Sequence, residues 1–201
     1  MIGPDGAGKS TQTKLLTDRL CREGHNAVNI RPVYILFKKL TGKQKPPSEL
    51  SPRLYRINRD NSKGRAGGIF RKAALLILGY PYIIISHLYI KFFYKKTRIL
   101  ICDRYFFQVF HDIFGAQSKW IRTILPYPDL TFYLQTEFTT FRSRQGHHDR
   151  SCPADYFRSI ELFFNTISKD NNILACDNSK EFHRVHEFIY NKVVEKISFP
   201  L

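Results

Sequence analysis

The residues with the clearest chemistry stand at the front of the chain. Gly3, Gly8, Lys9 and Ser10 fit the spacing G-x-x-x-x-G-K-[ST] within Gly3-Pro4-Asp5-Gly6-Ala7-Gly8-Lys9-Ser10-Thr11. Glycines leave the backbone bare, so successive N–H groups can converge on phosphate oxygens. The helix that follows aims its positive end at the same place. Lys9 reaches the β- and γ-phosphates, and the Ser10 hydroxyl binds Mg²⁺. With Gly at about 7% of residues, four such fixed positions coincide by chance roughly once in tens of thousands of starts.

A second constellation is Asp103-Arg104-Tyr105, at the end of the apolar run Arg98-Ile99-Leu100-Ile101-Cys102. That run reads as a buried parallel strand. In an open α/β sheet, ligands sit beyond the carboxyl ends of the strands. Asp103 then shares a rim with the phosphate loop and can hold Mg²⁺ through water or orient an acceptor, while Arg104 can clamp an acceptor phosphate. A third set is Arg142, Arg144 and Arg150 around Gly146-His147-His148, in a stretch (138–150) that reads as a short helix or lid. Phosphoryl transfer needs positive charge on the moving γ-phosphate, so these arginines join Lys9 and Asp103 as candidate catalytic residues.

The elements that must position these groups alternate. Residues 10–23 read as a helix with Leu15, Leu16 and Leu20 on one face and Gly24 as its stop. Ala27–Ile30 reads as a strand, 40–53 as a proline-broken loop, and Gly64, Gly67 and Gly68 as another loop. Leu130–Leu134 and Asn172–Cys176 read as strands, and 154–168 and 180–197 as helices. This predicts one domain over 1–201, an α/β three-layer sandwich with a helix-covered parallel sheet.

Three sequence features carry a family resemblance. Asp5-Gly6-Ala7-Gly8-Lys9-Ser10-Thr11 is similar to the D/E-G-x-G-K-[ST]-T loop of thymidylate kinases. Asp103-Arg104-Tyr105 resembles their second motif, and Pro128-Asp129-Leu130-Thr131-Phe132-Tyr133-Leu134 resembles their "PDLTIYL" strand. The resemblance implies the P-loop nucleoside monophosphate kinase fold, ATP and Mg²⁺ as cofactors, and thymidylate as acceptor. ATP then falls to Gly3 and Asp5 through Thr11, the acceptor to Asp5, Arg31, Arg104 and Tyr105, and the metal to Ser10 and Asp103. Ala7 stands where some members carry an arginine, as in the bacterial type that supplies charge from its lid. The sequence departs from the family after the second strand, where Arg31-Pro32 remain without the acid and glycines of T-R-E-P-G-G-T. It departs again at Phe106-Phe107-Gln108-Val109-Phe110-His111, which replaces S-x-x-A-Y-Q.

Charge is unevenly placed. Residues 31–98 hold sixteen Lys/Arg against Glu49 and Asp60, nearly the whole net charge of +15. Such a segment suits a polyanion: a phosphorylated substrate, an anionic membrane surface or, less well, nucleic acid. A nucleotide-dependent binding or regulatory protein docked through this segment is the rival from another class, and pairing into a homodimer stays open. Ala73 to Ile90 carries no charge across 18 positions, close to the lower limit for a membrane span. Gly79-Tyr80-Pro81 in its middle favours two packed helical pieces kinked or broken near Pro81.

Four widely spaced cysteines and a phosphate loop beginning at residue 3 suggest a cytoplasmic protein, with peripheral membrane contact through 31–98. Two residues before Gly3 are too few for the central strand of about five residues that normally feeds such a loop. The expectation is a largely missing first strand, and a natural chain that starts upstream.

Overall fold

The computed structural model describes residues 1–4, 6–42, 65–94, 99–114, 127–137, 139, 154–169, 173–178 and 181–198. In chain order, the elements are α1 (Lys9–Arg22), β1 (Ala27–Ile30), α2 (Pro32–Thr41), α3 (Arg65–Phe93), β2 (Ile99–Cys102), α4 (Phe107–Phe114), β3 (Thr131–Gln135), α5 (Ala154–Ile167), β4 (Ile173–Asp177) and α6 (Phe182–Ser198).

Two parallel pairs form the sheet. β1 runs beside β2 with Ala27 opposite Ile99 and Ile30 opposite Cys102. β3 runs beside β4 with Thr131 opposite Ile173 and Gln135 opposite Asp177. Met1 and Ile2 lie between the pairs. The Ile2 N–H donates to Phe132 O at 2.9 Å, and the Leu134 N–H donates to Ile2 O at 3.0 Å. On the other side the Met1 amino group donates to Cys102 O at 2.6 Å. Where a full central strand would lie, the sheet is joined by these two residues, and among the described residues Ile2 makes a single bridge, to Tyr133.

Side-chain alternation along the strands divides the core into two layers. Phe132 and Leu134 face one side with Ala27, Ile101 and Cys176, covered by Leu16 and Leu20 of α1 and by Val185 and Ile189 of α6. Tyr133, Ile2 and Ile173 face the other, covered by Phe107 and Phe110 of α4 and by Tyr156, Ile160, Phe163 and Phe164 of α5. Helices thus flank both faces of the sheet, the expected three layers.

Several local expectations are corrected. Gly67 and Gly68 lie inside α3, not in a loop, and Gly64 lies outside the described residues. α3 is one helix from Arg65 to Phe93 with Pro81 inside it, so it is not broken there. Proline removes one helical N–H, but Pro81 and Ile77 are both exposed, so the carbonyl that loses its partner four residues back can be solvated. The loop read over 40–53 gives way at its start to α2, which reaches Thr41, and the rest of it lies outside the described residues. Phe107–Phe114 is helical, where the sequence offered only an altered motif. No helix among the described residues is long and apolar enough to cross a membrane.

Candidate phosphate-binding site

The loop between Ile2 and α1 is built on left-handed glycines. Gly6 has φ 84° and Gly8, at the start of α1, φ 75°. Side chains disfavour that region. Gly3 has φ 141°, and a Cβ there would stand 2.6 Å from Leu134 O. The glycine lets the loop leave the sheet hard against β3. The Ala7 N–H closes a turn onto Pro4 O at 3.2 Å. Lys9 is buried, and its Nζ donates to Gly3 O at 2.8 Å and Pro4 O at 2.6 Å. The lysine thus braces the loop from below with its charge held inside it.

The parallel pairing of β1 with β2 ends both strands at one edge, beside the first turn of α1. There the Ser10 hydroxyl donates to Asp103 Oδ2 at 2.8 Å, and Arg31 Nε donates to the same oxygen at 2.7 Å. Arg31 Nη2 donates to Ser10 Oγ at 2.9 Å. Asp103 is buried, and its Oδ1 has no hydrogen-bond partner among the described residues. A hydroxyl and a buried carboxylate with spare acceptor capacity are hard oxygen donors, the chemistry that suits Mg²⁺.

A cleft of about 420 Å³ is lined by Gly6, Gly8, Lys9, Ser10, Thr11, Arg104, Asn178 and Phe182, within the size range of small-molecule sites. Arg104 reaches this lining from a left-handed backbone, φ 65°. A second cleft of about 470 Å³ lies between α1 and α6, but its Arg19 is already paired with Glu187 and Glu23.

The structure therefore brings together Gly6, Gly8, Lys9, Ser10, Thr11, Asp103, Arg104 and Arg31. Ala7, within the loop, is buried in the core layer with Leu16 and Val185. Tyr105 turns into the core, its ring 4.9 Å from that of Phe106 and 5.4 Å from that of Phe107, and burial pushes its phenol pKa well up. Asp5, Arg142, Arg144 and Arg150, with the 138–150 lid apart from Thr139, lie outside the described residues.

Two participants escaped the sequence reading. Asn178, just past β4, donates from Nδ2 to Ala7 O at 3.1 Å, and Phe182 opens α6 against the cleft. A polar residue at a strand's carboxyl end was the available signal for Asn178; nothing local marks Phe182.

No family model and no curated protein matches the sequence. Solved structures do match in fold. A deoxyadenosine kinase from M. mycoides, with products dCMP and a flexible dCDP bound, superposes with a TM-score of 0.52 at 18% identity, over 96% of this chain and 97% of that one. A thymidylate kinase from Ehrlichia chaffeensis gives 0.45 at 19% identity, over 96% and 95%. The M. mycoides deoxyadenosine kinase with bound dCTP gives 0.48 at 17%, over 96% and 97%. The chain shares the α/β fold of the first of these structures.

Proposed function

We propose that this protein transfers the γ-phosphoryl group of ATP to a nucleoside monophosphate, thymidylate first among them. The observation that carries the reading is the Ser10–Asp103 contact of 2.8 Å at the mouth of a glycine loop. It joins a phosphate cradle to a hard-cation site at one sheet edge. The loop N–H groups and Lys9 would hold the donor phosphates, and Ser10 and Asp103 would hold Mg²⁺. Bound there, the ion would neutralise negative charge on the donor phosphates. Arg104 sits on the same cleft to receive an acceptor phosphate, with Arg31 and Asp5 on the acceptor side, while Tyr105, packed into the core, backs the fold and does not meet the acceptor. Arg142, Arg144 and Arg150 supply further positive charge from the 138–150 segment.

An acceptor phosphate oxygen attacks the γ-phosphorus, the bond to the bridging oxygen breaks, and ADP leaves. Such an oxygen needs no general base. Among the described residues no carboxylate lines the cleft, and Asp103, bonded to Ser10 of that lining, is already engaged by Ser10 and Arg31. That supports a phosphate acceptor over a hydroxyl one. The deoxyadenosine kinase fold favours a second reading, transfer to a deoxynucleoside hydroxyl.

A panel of ADP release over dTMP, other nucleoside monophosphates, deoxynucleosides and sugar phosphates separates these. Turnover with dTMP supports the first reading, turnover with a deoxynucleoside alone supports the second, and no acceptor-dependent turnover removes both. Peripheral contact with an anionic membrane is a further proposed property, supported by the outer face of α3. A cytoplasmic location accords with it.

A further inference from the structure

We infer that Arg31 is the resident counter-ion and positioning residue of the Ser10–Asp103 pair, and that it makes a divalent cation enter this pair with nucleotide and not alone. The inference rests on the reading of the loop as a nucleotide site.

Arg31 follows β1 directly, and the pairing of Ile30 with Cys102 sets it beside Asp103. Three hydrogen bonds close a ring: Arg31 Nε to Asp103 Oδ2 at 2.7 Å, Arg31 Nη2 to Ser10 Oγ at 2.9 Å, and Ser10 Oγ to Asp103 Oδ2 at 2.8 Å. A serine hydroxyl has one proton and two lone pairs. Here the proton goes to Asp103 and one lone pair to Arg31, so one lone pair remains. Asp103 Oδ1, buried and without a hydrogen-bond partner among the described residues, keeps its own acceptor capacity. Oxygen donors for a hard cation therefore survive the ring.

The charge does not survive it. One guanidinium already balances the one carboxylate, and the site offers a free divalent ion repulsion in place of attraction. Mg²⁺ also sheds its water reluctantly. A polyphosphate brings several negative charges with it and reverses that balance. Arg31 thus refuses the free ion and accepts the nucleotide-bound one, while its fork holds Ser10 and Asp103 in one geometry. A lysine would balance the charge as a point cation, but it would not present the two-pronged fork.

The test is calorimetric titration of MgCl₂ into the protein without nucleotide, with thermal melting alongside. Wild type is expected to show no saturable Mg²⁺ binding and no shift in melting. Arg31→Gln is expected to melt lower and to bind free Mg²⁺ at least about tenfold more tightly, the factor that ~1.4 kcal/mol of removed repulsion makes. Arg31→Gln combined with Asp103→Asn should lose that binding. Arg31→Lys should stay as indifferent to the free ion as wild type. Arg31→Gln no tighter than wild type, or Arg31→Lys as tight as Arg31→Gln, overturns the inference. If Arg31→Gln fails to fold, saturable Mg²⁺ binding by wild type that Asp103→Asn abolishes overturns it equally. Failure of the phosphoryl-transfer reading would show elsewhere, as wild type without ATP turnover.

Discussion

Lys9 turns its ammonium back onto the carbonyl oxygen of Gly3, 2.8 Å away. The side chain proposed to meet the donor phosphates is also the brace of its own loop. Lys9→Ala therefore removes two things at once. Turnover of ATP should fall by about 10²-fold or more, the scale for losing one preorganised charge-stabilising donor. Melting should fall as well, by the equivalent of about 1–3 kcal/mol, because the buried carbonyls of Gly3 and Pro4 lose a donor. A variant that turns over ATP at the wild-type rate would remove the loop from the chemistry.

Asn178 makes a second, subtler contact with the loop. Its side-chain amide holds Ala7 O at 3.1 Å, and its backbone N–H holds Gln135 O at 3.0 Å. It thus ties the loop to the ends of β3 and β4. Asn178→Ala should raise the KM for ATP about fivefold, the factor that one net hydrogen bond of about 1 kcal/mol makes, with a smaller change in kcat. Asn178→Asp should do worse, since its carboxylate would face the Ala7 carbonyl beside the proposed phosphate site. Steady-state kinetics at saturating acceptor measures both, and an unchanged KM in both variants would reduce Asn178 to a bystander.

Legibility in the sequence followed distance along the chain. The Gly3 to Ser10 spacing, the strand at 27–30 and the helix read over 154–168 were all legible, because each depends on neighbours within a few positions. Arg31 and Asp103 are 72 positions apart, and Asn178 and Ala7 are 171 apart. Nothing local marks such pairs; only the strand register brings them together. α3 misled the reading for a related cause. Gly67, Gly68 and Pro81 lower helix propensity locally, yet Ile83 and Ile90 are buried against the rest of the fold. Packing of that face outweighs the local cost.

Burial of weak acids sets a limit at high pH. Burial pushes the Cys102 thiol up from 9.0 to about 11 and the Cys176 thiol up from 9.0 to about 12. It pushes the Tyr105 and Tyr133 phenols further up still. In each case the fold prefers the protonated, neutral form. Below about pH 9 folded and unfolded chains both keep these protons, so the stability they contribute is fully present. As pH rises from 9 towards 12 the unfolded chain gives up its thiol protons first, and stability falls. Chemical melts across this range should show a steady decline. In the same range Cys102 and Cys176 should resist alkylation in the native protein while exposed Cys21 reacts. A stability flat from pH 9 to 11, or equal labelling of all three thiols, would contradict the burial.

The outer face of α3 should bind anionic membrane. Ile77, Pro81, Ile85, Leu88 and Phe92 are exposed and fall on one stripe at helical spacing, opposite buried Ile83, Ser86 and Ile90. Ile77 is 68% and Phe92 74% exposed, so the stripe is not a covered edge of the core. Exposed Lys39 lays its amine over the rings of Tyr89 and Phe93, 4.7 Å from each centroid. Aromatic rings beside lysines suit the boundary between headgroups and acyl chains. The segment 65–98 has Arg65, Arg71 and Lys72 near one end, Lys91, Lys95, Lys96 and Arg98 near the other, and no acid between. Two copies packed through this stripe would set basic ends against basic ends in either orientation, whereas an anionic surface is attracted along the whole length. Sedimentation with phosphatidylserine vesicles at low salt should carry the protein down, and raising salt past physiological strength should release it. Ile85→Ser with Phe92→Ser should weaken the binding and leave ATP turnover alone. If the protein ignores such vesicles, or if the double variant instead dissolves a dimer, then the stripe serves another partner.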